Sequence, residues 1–135
     1  MSSPLQLAKD WRQLQEFAGV DVDRSFVLSW HLESETLMID VDLFLTSEHP
    51  SYEKPRPAEK VCIRPAIIEF PYCERITAED DTSSSMADLV ESLGHGVIEG
   101  LRRHEDGRYE IKGAFGTVFI AAERPLLRLR GRRGS

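Results

Sequence analysis

The feature that most constrains this chain is the alternation of apolar and polar residues that runs from Ser25 to Leu45. A period of two puts successive side chains on opposite faces of a strand. Placing Ser34 and Glu35 as a two-residue hairpin loop sets Leu32 opposite Leu37, Trp30 opposite Ile39, Leu28 opposite Val41 and Phe26 opposite Leu43. Every pair on that face is then apolar. A slip of one residue would carry polar groups into the same face, so the pattern fixes the register although Ser-Glu is a poor hairpin turn.

The same register brings Ser29 across from Asp40, Val27 across from Asp42, and His31 one diagonal step from Asp40 on the opposite face. A histidine beside a carboxylate is the pair that general acid–base chemistry requires, and both residue types ligate metals. His31, Asp40 and Asp42 are therefore a candidate hydrolase site, metal-assisted or acid–base. A metal there needs a further ligand, for which Glu33 or His49 would have to serve. Against this stands a simpler reading, in which a one-sided sheet must show polar residues to water. That reading weighs more, and we expect no catalytic residue, metal or cofactor.

Around the hairpin the chain reads as alternating connections and short elements. Ser3, Pro4 and Gln6 have the pattern of a helix start, Gly19 of a stop, and Leu7, Trp11, Leu14 and Phe17 recur at helical spacing between them. An amphipathic N-terminal helix docked on the sheet is expected. Residues 46–58 carry Pro50, Pro55 and Pro57 and read as a long loop, followed by a strand over 60–70 in which Pro65 demands a bulge or a sheet edge. A polar connection over 71–84 leads to a short helix through Met86, Leu89, Val90 and Leu93, capped by Ser85 and ended by Gly94.

The remainder predicts a four-stranded meander over 97–104, 108–113, 116–122 and 125–130. A loop over 105–107 with Gly107 left-handed pairs Leu101 with Ile111 and Arg102 with Glu110. Later turns pair Ile111 with Val118, Tyr109 with Ile120, Ile120 with Leu127 and Val118 with Leu129. The expected fold is α+β: six to eight mostly antiparallel strands, the N-terminal helix, the short second helix and the C-terminal meander, in a single domain over residues 1–135.

Composition bounds the function classes. At 135 residues, 41% hydrophobic and 30% charged, the chain has the length and balance of an ordinary globular domain. Its formal net charge of −6 argues against nucleic acid and anionic membranes as partners. Arg128 and Arg130 alternate with Leu127 and Leu129, as the solvent face of an edge strand does. No apolar run is long enough to span a bilayer and no secretion signal is evident, so a cytoplasmic protein with Cys62 and Cys73 as free thiols is expected. His49, His95 and His104 lack metal-ligand spacing, and Gly94, Gly96 and Gly100 precede a strand where a phosphate loop would open a helix.

These observations leave non-catalytic binding of a protein partner as the main expectation. The proline-rich loop offers a rigid, partly aromatic surface, with His49, Tyr52, Glu53 and Arg56 as candidate contacts. The stretch GRYEIKGAFGTVFIAA (Gly107 to Ala122), with TLMIDVD (Thr36 to Asp42), resembles small β-rich bacterial proteins grouped among polymorphic-toxin immunity proteins. The resemblance covers about half the chain. It implies inhibitory binding of a protein and supplies no catalytic residues.

Overall fold

A computed structural model describes residues 9–55, 61–79 and 85–130. Its strands are β1 (Lys9–Asp10), β2 (Val20–Glu33), β3 (Thr36–Leu45), β4 (Cys62–Phe70), β5 (Arg75–Ala78), β6 (Gly96–Arg103), β7 (Tyr109–Gly113), β8 (Gly116–Ala121) and β9 (Leu126–Leu129). They form a nine-stranded sheet of order β5-β8-β7-β6-β2-β3-β4-β9, with β1 pairing β6 off that path. Every pairing is antiparallel. Strands far apart in this order meet across the interior: Phe70 of β4 lies edge-on to Tyr109 of β7, with ring centroids 5.2 Å apart. The sheet therefore bends over on itself. Its concave side buries Ile39, Ile68, Ile111, Val118 and Ile120, while β5 and β9 remain as edges.

The α+β expectation is corrected to a nearly all-β fold, because the N-terminal helix does not form over the described residues. Lys9–Asp10 is strand, followed by two 3-10 turns at Trp11–Gln13 and Gln15–Phe17. The anticipated cap at Ser3 to Gln6 lies outside the described residues. The cap that operates is Asp10: its carboxylate accepts from the Arg12 N–H at 3.2 Å, while the Gln13 side chain accepts from the Asp10 N–H at 3.1 Å. Trp11, Leu14 and Phe17 are buried as expected, but at a spacing of three, which suits a 3-10 period as well as an α-helix. The one α-helix of the described residues, α1 (Met86–Ser92), matches the short helix anticipated, with Ser85 Oγ accepting from the Asp88 N–H at 3.1 Å.

The hairpin register holds at the turn end, with Leu32 opposite Leu37, Trp30 opposite Ile39 and Ser29 opposite Asp40. It breaks beyond Ser29. Leu28 bulges out, so that Val27 rather than Leu28 faces Val41, and Phe26 rather than Val27 faces Asp42. A second irregularity between Asp21 and Phe26 is filled by the buried Ser25, whose hydroxyl donates to the Asp21 carbonyl at 2.9 Å and accepts from the Phe44 N–H at 3.2 Å. The side chain replaces ladder partners that the bulged backbone loses.

The C-terminal meander has three strands rather than four. The turn over 105–107 forms as anticipated, with Gly107 at φ 92° and Leu101 opposite Ile111. Beyond it, β8 pairs β5, a four-residue strand within the stretch read as a polar connection, so β9 has no place beside β8. The Glu123 N–H instead donates to the Pro71 carbonyl at 2.9 Å and steers β9 onto β4, with Leu127 opposite Ile68 and Leu129 opposite Ala66. Pro65 needs no bulge, since β4 pairs β3 in continuous register through it. Its carbonyl accepts from Arg130 just where β9 ends, so the missing N–H faces a side with no continuing ladder.

Candidate functional site

The outward face of the hairpin brings Ser29, His31 and Asp40 together. Ser29 Oγ donates to Asp40 Oδ2 at 2.7 Å, and His31 Nε2 lies 2.8 Å from that same oxygen and 3.1 Å from Ser29 Oγ. With the Nε2 proton directed at Asp40, that nitrogen has no lone pair to take a proton from Ser29. In a nucleophile relay the two ring nitrogens serve different partners, one the hydroxyl and the other the carboxylate. Here both contacts converge on one carboxylate oxygen through one nitrogen, an arrangement that fixes side chains. Asp42 lies two residues along β3, between Phe26 and Pro65 in the register. Among the described residues no three His, Cys, Asp or Glu side chains are placed to share a metal ion.

Strand β9 adds residues that the sequence reading placed elsewhere. Arg130 Nη1 approaches Asp40 Oδ1 at 3.9 Å, and Arg128 Nε meets Glu69 Oε1 at 3.1 Å. Both contacts depend on β9 lying beside β4, a pairing no local pattern announced. The face is also rich in apolar groups. Leu28, Ile63 and Val97 are each 46% exposed and Leu126 is 52% exposed, with Met38, Phe44 and Ile67 partly exposed on the same side. Outward apolar residues thus surround a charged centre of Asp40, Asp42, Glu69, Arg128 and Arg130.

The described part of the 46–58 loop turns inward. Tyr52 packs against the core, and His49 sits so close beneath Gly19 that a Cβ there would lie 2.8 Å from it. The Ser51 N–H donates to His49 Nδ1 at 3.0 Å, and burial lowers the His49 pKa. Glu53 Oε1 reaches Arg64 Nη2 at 3.8 Å; Arg64 lies on the core side of β4, with its Nε and Nη1 buried and unpartnered. Arg56 lies outside the described residues. The loop therefore closes one margin of the core, and it separates His49, Tyr52 and Glu53 from the hairpin cluster.

A second histidine–carboxylate cluster went unnoticed in the sequence. Glu110 of β7, only 9% exposed, lies 2.8 Å from His104 Nε2 through Oε1 and accepts from Arg102 Nη2 at 3.2 Å through Oε2. Burial alone would raise its carboxyl pKa. The hydrogen bonds and charges of His104 and Arg102 outweigh burial and hold it below the ordinary value. The Arg102–Glu110 pairing was legible as a cross-strand pair, whereas His104 reached it from beyond the strand end.

No protein-family model matches the chain, and neither the curated proteins nor the solved structures compared with it give a match. No helix of the described residues is long and apolar enough to cross a membrane.

Proposed function

We propose that this is a non-catalytic cytoplasmic protein that binds a protein partner, in the manner the likeness to immunity proteins implies, through the outward face of β6, β2, β3, β4 and β9. The observation that carries the reading is that Leu28, Ile63, Val97 and Leu126, each about half exposed, are spread over the same face as Asp42. Apolar groups gathered on one face with charged neighbours mark association surfaces more often than plain solvated ones. Asp42 has no ion-pair partner among the described residues. The partner that fits presents an apolar patch with a lysine or arginine set to meet Asp42.

The test is affinity capture with the native chain, an Asp42→Arg/Leu126→Ser variant and a control, Glu91→Lys, on the exposed side of α1, followed by binding measurements on purified components. A partner bound by the native and control chains and lost with the face variant supports the reading. Undiminished binding by the face variant rejects this surface.

A further inference from the structure

We infer that the cleft between β1, the 3-10 turns and the β8–β9 connection is a binding site for a small oxyanion of the phosphate type. The cleft is lined by Lys9, Arg103 and Arg124, by the Gln13 and Gln15 side chains, and by Leu14 and Glu16. Three cations converge there against one carboxylate in a protein whose formal net charge is −6. Among the described residues none of the three has a carboxylate at salt-bridge distance. Lys9 and Arg124 are exposed and hydrated, and Arg103 also borders a cleft with Glu74, Asp106 and Glu123, but the three cations together make the potential of this cleft attractive to an anion.

The arrangement of Arg103 supplies an independent argument. β6 carries its side chain inward at the level of Tyr109, its register partner, with the guanidinium carbon 5.8 Å from the Tyr109 ring centroid. Its Nε is buried and has no hydrogen-bond partner. That donor lacks an acceptor, so Arg103, at the wall of the cleft, carries a demand that the described residues leave unmet. Glu16 does not fill it, because its Oε2 accepts from the Tyr109 hydroxyl at 3.3 Å and is held toward the ring. The phenol stays protonated as that donor: burial, with the neighbouring Glu16, pushes its pKa to about 12.

Size selects the ligand class. The cleft volume is about 170 Å³, which corresponds to roughly five or six water molecules at about 30 Å³ each. That admits a phosphate group with its oxygens toward the two guanidinium groups. Arginine's planar fork suits such an oxyanion, and Lys9 adds a point charge. The cleft shares only β6 with the outward sheet face, and the Arg103 side chain points to the other side of that strand, so the site stands or falls separately from the partner-binding reading.

Titration of the full chain with inorganic phosphate, followed by ³¹P NMR and calorimetry, tests the inference. Saturable binding is expected, weakened about tenfold in Arg124→Gln and in Lys9→Gln, the loss of one charged hydrogen bond at about 1.4 kcal/mol per tenfold. Arg103→Gln is expected to weaken it further. Arg108→Gln, whose guanidinium is already held by Asp106 at 2.8 Å, should leave binding unchanged. Phenyl phosphate in a parallel arm separates the sources: tighter binding than inorganic phosphate indicates a phosphate ester, weaker binding the free ion. Arg124 and Lys9 are exposed, so their variants retain the fold even if Arg103→Gln does not. Absence of saturable phosphate binding, or equal affinity in native, Lys9→Gln and Arg124→Gln chains, overturns the inference.

Discussion

Two histidine–carboxylate clusters lie on this sheet, and they differ in depth. In the His104–Glu110–Arg102 cluster the carboxylate side chain is 11% exposed and the histidine 27%. In the His31–Asp40 cluster the corresponding figures are 20% and 54%. The contact distances are the same, 2.8 Å in each. Geometry alone therefore does not separate them, but solvent does. Water screens the exposed pair and leaves it little to contribute, whereas the covered carboxylate depends on its partners to compensate lost hydration. The deeper cluster acts on stability, and the shallower one is open to solvent.

The largest effect that would sharpen this contrast is expected from Glu110→Ala. Removing the covered carboxylate leaves Arg102 and His104 without their acceptor, at a cost of about 2–3 kcal/mol. Urea denaturation at neutral pH measures it. A change no larger than that of Asp40→Ala would erase the distinction between the clusters.

Acid titration gives the next effect and its sign. The Glu110 pKa is depressed in the folded state, so its contribution is fully present above the unfolded value of about 4.3 and is lost as pH falls through the lower folded value. Native and Glu110→Gln chains should therefore differ most near neutral pH. Their stabilities should converge as acid protonates the native carboxylate. A constant difference from neutral pH down to the acid transition would show that the depression does not act on folding.

Between the clusters and the rest of the fold, what the sequence disclosed depended on pattern length. Trp30, Ile39 and Leu37 were placed because a long two-residue period admits a single register near a tight turn. Leu28 was not, because Val27 and Leu28 are both apolar and either can face inward; the bulge chose Val27. The spacing of Trp11, Leu14 and Phe17 fits two helical periods. The capping box at Asp10 and Gln13 was the local sign that the turn begins there, seven residues after the start inferred at Ser3. β5 holds only Arg75, Ile76, Thr77 and Ala78, too few residues to show alternation. Missing it left the edge of β8 open and moved β9 to the wrong neighbour. Of the site, Ser29, His31 and Asp40 followed from the hairpin, but Arg128 and Arg130 reached them only through long-range pairing. His49 and Tyr52 lay in a loop whose inward packing no periodicity records.

Smaller effects are expected from single substitutions at Arg102 and His104. Because both donors serve Glu110 through different oxygens, removing one leaves the other in place. Arg102→Ala and His104→Ala should each cost about 1 kcal/mol, and the double variant more than their sum, since the last donor shields a covered carboxylate. A double-mutant cycle in urea reads the coupling. Strict additivity would mean that water supplies Glu110 as readily as the protein does.

The smallest stability effect, and the one that bears on function, is expected at His31. Its side chain is 54% exposed and its contact is to a carboxylate that Ser29 also serves, so His31→Ala removes one screened contact of several. The cost should be below about 0.5 kcal/mol, within the range of exposed pairs. The Ser29–Asp40 bond persists and keeps the carboxylate oriented. If the outward sheet face is the contact surface, the same substitution should alter partner binding more than it alters folding, because the imidazole beside Asp40 is dehydrated only when a partner covers it. Binding and urea stability measured on the same His31→Ala preparation separate the two. Loss of folding stability comparable to that of Glu110→Ala would place His31 with the buried cluster, and would remove the argument that depth divides structural from accessible histidines in this sheet.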